Sequence, residues 1–253
     1  MFKIGDYVTR KKYNNDIIFK ITKINDNIVY LTGVDLRLYA DSNIEDLIPC
    51  NKCTDKGNNN KLRNLDTNNY FYIPGTILHL DTDTDYLNKC LKYYKKQNIK
   101  AYGYCYKIEE FKDHVLDLLN TCDPSILVIT GHDAYYKKTN TYKNSKYFIE
   151  TVKEVRKYYK KHQDLIIIAG ACQSDYKNLI LAKSTFASSP KHINIHALDP
   201  AILACSIALL EQSEKANILS ILEKTKCGSD GFGGVITNGV MFVGFPRKDN
   251  NEY

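Results

Sequence analysis

No stretch of the chain approaches the roughly 18 consecutive apolar residues of a transmembrane helix, and the opening MFKIGDYVTRKK lacks the apolar core of a secretory leader. These absences argue against a membrane partner and lead to the expectation of a protein made and kept inside a cell. Charge of one sign is not concentrated either. The formal net charge is +6, of which residues 1–70 carry +2 and the remainder +4, so no basic arm or stripe exists and no nucleic-acid partner is expected. Tryptophan is missing altogether, alongside heavy use of Lys, Asn, Ile and Tyr, which points to an AT-rich genome rather than to a mechanism. A second metal-binding pair is lacking too. Cys50-x-x-Cys53 has no companion CxxC or CxxH, and the eight cysteines of a cytosolic chain default to free thiols. Neither a metal nor a cofactor is expected.

What the chain does contain is enough apolar material, 43% of its residues against 25% charged, for a sizeable core in one large or two unequal domains. Residues 1–50 hold short segments rich in β-branched and aromatic residues, IGDYVTRK, DIIFKITKI, IVYLTGV and LRLYAD, separated by Asn, Asp and Gly. They predict a small SH3-like β-barrel, either an interaction module or an appendage. Residues 51–70, NKCTDKGNNNKLRNLDTNNY, are polar and aperiodic and read as a linker. From residue 71 to residue 253 strands and helices alternate. GTILHLD (75–81) reads as a strand, Thr84 to about Gln97 as a helix, NIKAYGYCY (98–106) as a strand, EEFKDHVLDLLN (109–120) and 145–160 as helices. Such βα units in series predict a doubly wound, mostly parallel α/β sheet flanked by helices. Asp199-Pro200 opens a further helix, and GFGGVITNGVMFVGFP reads as a closing β-hairpin turning at Asn238-Gly239.

Two stretches organise this second region: ILVITGHDA at 126–134 and LIIIAGACQS at 165–174. Each is a run of branched apolar residues that stops at a small residue and then presents a reactive side chain. Unalternating apolar runs read as strands buried on both faces, and in such sheets functional groups gather at the carboxyl ends of neighbouring strands. If the two strands are adjacent, His132 and Cys172 leave the same edge. A free thiol has a pKa of about 8.5 and needs a base to become a nucleophile at neutral pH. The imidazole can take that proton and later relay it to a leaving amine. Taken singly, Cys172 is as readily a buried small hydrophobe and His132 a satisfied loop histidine. The pairing favours a catalytic dyad.

An apolar block ending in His beside Gly, then an apolar block ending in Ala-Cys, resembles the caspase–gingipain–clostripain–legumain clan of cysteine peptidases. The separation of His132 and Cys172 is 40 residues, against roughly 50 in caspases. Three positions depart from the clan pattern: Asp133 follows His132 where Gly is usual, Gly170 replaces an acidic residue or Gln, and Ser174 stands where caspases carry Gly. A narrower resemblance spans nearly the whole chain. FKIGDYVTRKKY, ADSNIEDL, ILHLDTDTDYL, LVITGHDAY, AGACQSDY, FASSPKHINIHALDP and GGVITNGV, in that order, are similar to the YabG family of sporulation proteases. The resemblance implies a caspase-like domain over 71–253 and a cysteine endopeptidase that cuts after arginine. It also implies oxyanion donors in the backbone N–H groups of Cys172 and Asp133. Spore coat and germination proteins would be the substrates, met in the sporulating cell's cytoplasm and at the spore coat.

In arginine-specific members of the clan a carboxylate from the end of the first strand can line the specificity pocket, which makes Asp81 and Asp83 candidates, with Asp199 as the alternative. Helix capping is the competing reading for Asp83 and Asp85. His192, His196 and Asp199 could in principle face one metal, but Pro190 and Pro200 bracket the stretch and no HExxH glutamate accompanies it. The same dyad would serve a thiol-dependent acyltransferase or amidase, and a catalytically idle spore-assembly scaffold is a third possibility. An arginine-preferring peptidase would also meet Arg63, so slow self-cleavage in the linker is expected. Oligomeric state leaves no mark in the sequence.

Overall fold

The computed structural model describes residues 2–50 and 67–246. Cys53, Arg63 and most of the expected linker, with the self-cleavage site, lie outside the described residues.

The N-terminal region is a five-stranded antiparallel sheet in the order β4-β3-β2-β1-β5. Its strands are β1 (Tyr7–Arg10), β2 (Phe19–Asn25), β3 (Ile28–Gly33), β4 (Tyr39–Asn43) and β5 (Leu47–Pro49). Alternation buries one set of residues, Val8, Phe19, Ile21, Val29, Leu31 and Leu47, in a small core of its own. The segment LRLYAD reads as one strand in the sequence, yet β4 begins only at Tyr39. Leu36 and Arg37 turn away to meet another part of the molecule.

After β6 (Phe71–Ile73) come β7 (Ile77–Asp81), α1 (Thr84–Lys96), β8 (Ala101–Cys105), α2 (Phe111–Cys122) and β9 (Ile126–Ile129). A small hairpin of β10 (Tyr135–Tyr136) and β11 (Thr141–Tyr142) precedes α3 (Ser145–Tyr158), β12 (Ile166–Ala169), α4 (Tyr176–Leu181) and β13 (Phe186–Ser188). The described residues close with α5 (Asp199–Ala208), α6 (Ile218–Leu222), α7 (Gly228–Gly231), β14 (Phe232–Gly234) and β15 (Phe242–Gly244).

The main sheet has six strands in the order β14-β13-β12-β9-β7-β8, with β14 the antiparallel member. Because side chains alternate across a strand, β7, β9 and β12 feed two cores. Ile77, Ile126, Val128, Ile166 and Ile168 pack with residues of α1, α5 and α6, while Leu78, Leu80, Leu127, Ile129 and Ile167 pack with α2, α3 and α4. A mixed α/β fold with a mostly parallel sheet between two helical layers is the result.

The closing segment corrects the hairpin expectation. β14 pairs with β13, and β15 pairs with β6, so the two halves of GFGGVITNGVMFVGFP never pair with each other. Asn238-Gly239 instead lies against the end of α5, where a Cβ on Gly239 would sit 2.0 Å from the Leu210 carbonyl oxygen. The glycine answers a close backbone approach, not a hairpin turn.

Candidate functional site

β9 and β12 are adjacent and parallel, with Ile129 opposite Ala169, and the Gly170 N–H continues the pairing by donating to the Ile129 carbonyl at 3.0 Å. His132 and Cys172 therefore emerge from neighbouring strands at the same edge. Gly170 has φ +114°, and a Cβ there would stand 2.3 Å from Ser188 Oγ; the chain turns at this point so that Cys172 points back into the molecule. Cys172 is fully buried. Its sulfur accepts from the Ile195 N–H at 3.1 Å and lies 3.8 Å from the Ile195 carbonyl oxygen. Burial pushes the thiol pKa up to about 12, against partial opposition from that N–H and from the charge of Arg37. In this state the thiol is protonated and held by residue 195.

His132 is buried as well. Its Nε2 lies 3.3 Å from Asp83 Oδ2, and its Nδ1 has no hydrogen-bond partner among the described residues. An imidazole that donates from Nε2 to a carboxylate keeps its lone pair on Nδ1 when neutral. Tyr39 of β4 stacks on the ring at a centroid distance of 3.7 Å, and Tyr86 flanks it at 5.4 Å. Among the described residues no hydrogen bond joins His132 to Cys172.

The two loops are tied by the side chain of Asp133. Its carboxylate accepts from the N–H of Ala134 at 2.8 Å and of Asn144 at 2.7 Å, from Ser174 Oγ at 3.2 Å, and from Ser145 Oγ. Ser174 Oγ in turn accepts from the Ala171 N–H at 2.8 Å. Burial raises the Asp133 pKa despite these donors. The backbone N–H of Cys172 is turned toward its own sulfur. The roles of Ser145 and Ser174 escape the sequence reading. The replacement of Gly by Ser at position 174 is the signal that marks one of them.

The three candidate pocket carboxylates have different neighbours. Asp81 is fully buried at the end of β7, where Arg37 Nη1 donates to Oδ2 at 2.6 Å and Thr130 Oγ1 donates to the same oxygen at 2.9 Å. Burial alone would raise its pKa, but the Arg37 guanidinium and His79 together outweigh burial and hold the carboxyl well below its ordinary range. His79 Nδ1 faces the Tyr94 hydroxyl at 2.8 Å and its Nε2 faces Thr130 Oγ1 at 2.7 Å, completing a buried chain whose imidazole is kept neutral by burial. Asp83 caps α1, accepting from the N–H groups of Asp85 at 2.9 Å and Tyr86 at 3.1 Å, while also meeting His132. Burial opposes its ionisation, yet these hydrogen bonds hold its pKa below the ordinary value. Asp199 accepts from the N–H groups of Lys226 at 2.7 Å and Cys227 at 3.1 Å and so fastens that loop to α5.

Arg37, absent from the sequence-based candidates, completes the arrangement. Its Nη2 donates to the Ala197 carbonyl at 3.3 Å and approaches Cys90 Sγ at 3.7 Å. His192 stacks on Tyr135 and Tyr142, and no cluster of ligands fit for a metal ion occurs among the described residues. Nor is any helix among them long and apolar enough to cross a membrane.

The fold and this edge define a class: an α/β protein that gathers imidazole, thiol and carboxylates at the carboxyl ends of parallel strands. Comparison with known proteins narrows it. A family model described as YabG peptidase U57 matches residues 3–64 and 51–246. The sporulation-specific protease YabG of Bacillus subtilis (strain 168) is 37% identical over 289 aligned positions, covering 98% of this chain and 99% of that protein. The chain belongs to the YabG peptidase family. It is a protease with a role in sporulation.

Proposed function

We propose that the protein is a cysteine endopeptidase in which Cys172 is the nucleophile and His132 the general base and acid, acting after arginine. The observation that carries this reading is the register of β9 with β12, which sends Gly131-His132 and Gly170-Ala171-Cys172 out of the same sheet edge. The strand order of the main sheet, five parallel strands closed by one antiparallel strand, supports a caspase-like core. The five-stranded N-terminal sheet is in keeping with an SH3-like barrel.

In the proposed reaction the Cys172 sulfur attacks the carbonyl carbon of an arginyl residue, and its proton passes to His132 Nδ1. Asp83 holds Nε2 and stabilises the resulting imidazolium. The oxyanion is received by the backbone N–H groups of Cys172 and Asp133. The C–N bond then breaks as His132 returns the proton to the leaving amine, and the acyl group stays on the Cys172 sulfur as a thioester. Water, deprotonated by His132, hydrolyses it and regenerates the thiol. Asp81 is the pocket carboxylate best supported, because it already binds a guanidinium; Asp83 is engaged by His132, and Asp199 by backbone N–H groups. The proposed substrates are spore coat and germination proteins, met in the sporulating cell and at the spore coat.

A peptide series with each residue in turn before the scissile bond tests the proposal, run with wild type, Cys172→Ala and His132→Ala. Cleavage after arginine by wild type alone is expected. Cleavage by a folded Cys172→Ala protein would refute the assignment.

A further inference from the structure

Resting on that reading, the geometry points to a regulator built into the chain: the Val34–Tyr39 loop occupies the enzyme's own substrate cleft in the manner of an arginyl peptide, and must withdraw before a substrate binds. Five contacts converge on this loop. Leu36 bridges His196 in antiparallel fashion, the Arg37 N–H donates to the Ile195 carbonyl at 3.1 Å, and the Ala197 N–H donates to the Asp35 carbonyl at 2.8 Å. That is strand addition, the usual way a cleft grips an extended peptide, and it falls on the residue that holds the Cys172 sulfur. The Arg37 side chain then enters a fully buried site where Asp81 and the Ala197 carbonyl receive its guanidinium. Two residues on, Tyr39 covers His132.

The loop is fastened by two side chains of α1. Tyr86 Oη faces the carbonyls of Gly33 and Leu36, with its one proton shared between them, and Lys89 Nζ donates to the Val34 carbonyl and pairs with Asp35 at 3.4 Å. Its base is closed by the Gly33 N–H donating to the Leu38 carbonyl at 2.8 Å, and the Leu38 N–H reaches back to the Leu36 carbonyl at 2.8 Å. Arg37 thus sits at the tip of a hairpin held in a tight turn, and the peptide bond after it is not extended as in a bound substrate. A tethered arginine of this kind lowers the apparent affinity for every external substrate by the fraction of time the cleft is open.

The test uses two variants of the full chain. Arg37→Ala removes the guanidinium, and Lys89→Ala loosens the loop while leaving the Arg37–Asp81 pair intact, so it decides the matter if Arg37→Ala fails to fold. Two rates are read: cleavage of an arginyl peptide, and alkylation of Cys172 by iodoacetamide, located by peptide mapping. Expected are increases of about tenfold for Arg37→Ala and about threefold for Lys89→Ala in both rates. Unchanged or slower alkylation and cleavage in folded Lys89→Ala overturns the inference, even if wild type cleaves and Cys172→Ala does not, which would leave the peptidase reading standing. Faster alkylation in the variants without cleavage after arginine supports the loop's role and counts against the arginine reading instead.

Discussion

Two buried carboxylates, Asp81 and Asp133, are pushed in opposite directions. Burial would raise both, but at Asp81 the Arg37 charge and His79 together override it and keep the pKa low, whereas Asp133 faces only neutral donors and burial raises it. A carboxyl held below its unfolded value of about 3.9 adds stability above that pH and loses it as the pH falls through the folded value. A raised one does the reverse, adding stability in acid that disappears as the pH rises through its folded value. Asp81→Asn should therefore cost about 3–5 kcal/mol at neutral pH, because Arg37 is left buried with its charge uncompensated. It should also flatten the loss of stability below about pH 4. Urea melts across pH check both, and an unaltered midpoint at pH 7 would contradict the buried pair. Asp133→Ala should cost about 3 kcal/mol or more, since it strands two buried hydroxyls and two N–H groups that now share its carboxylate. Activity should fall with it, as the loops bearing His132 and Cys172 lose their common anchor; wild-type activity and stability together would refute that role. The places of His132, Cys172 and Asp81 at or just beyond strand ends are legible in the sequence because each follows an apolar run. Arg37 is not, since its partner lies 44 residues away and its own LRLYAD context imitates an ordinary strand.

Elements were readable in proportion to how local their determinants are. The runs at 77–81, 126–129 and 166–169 are apolar throughout and buried throughout, and the helix Thr84–Lys96 has its cap written beside it as Asp83. The C-terminal strands failed the same reading because Phe232–Gly234 and Phe242–Gly244 are short, and each takes its partner from a distant segment. A sharper test at this scale concerns the turn after β12. Gly170→Ala forces a side chain into a left-handed conformation and against Ser188 Oγ and Leu179. We expect a loss of roughly 1–3 kcal/mol in stability and a fall in kcat as Cys172 moves off its line. Equal melting and equal kcat in this variant would mean that the turn does not aim the thiol.

At the scale of the molecule, composition and spacing indicated a β-rich beginning and an α/β remainder, but not that the first part reaches into the second. Nothing in a linear pattern says that Arg37 would lie against Asp81 or that Tyr39 would cover His132. The docked loop also bears on the resting thiol, which is buried, protonated and held by Ile195. Such a state calls for an opened cleft before attack. The central claim remains that Cys172 performs the attack. Its most direct test is intact-mass and peptide-mapping analysis after treatment with an arginyl ketone that alkylates active-site thiols, run on wild type, Cys172→Ala and His132→Ala. One adduct per chain on Cys172 in wild type, none in Cys172→Ala, and a greatly slowed adduct in His132→Ala, in parallel with peptidase activity, is the predicted result. Full peptidase activity in folded Cys172→Ala, or an adduct that forms elsewhere and abolishes activity, would contradict it.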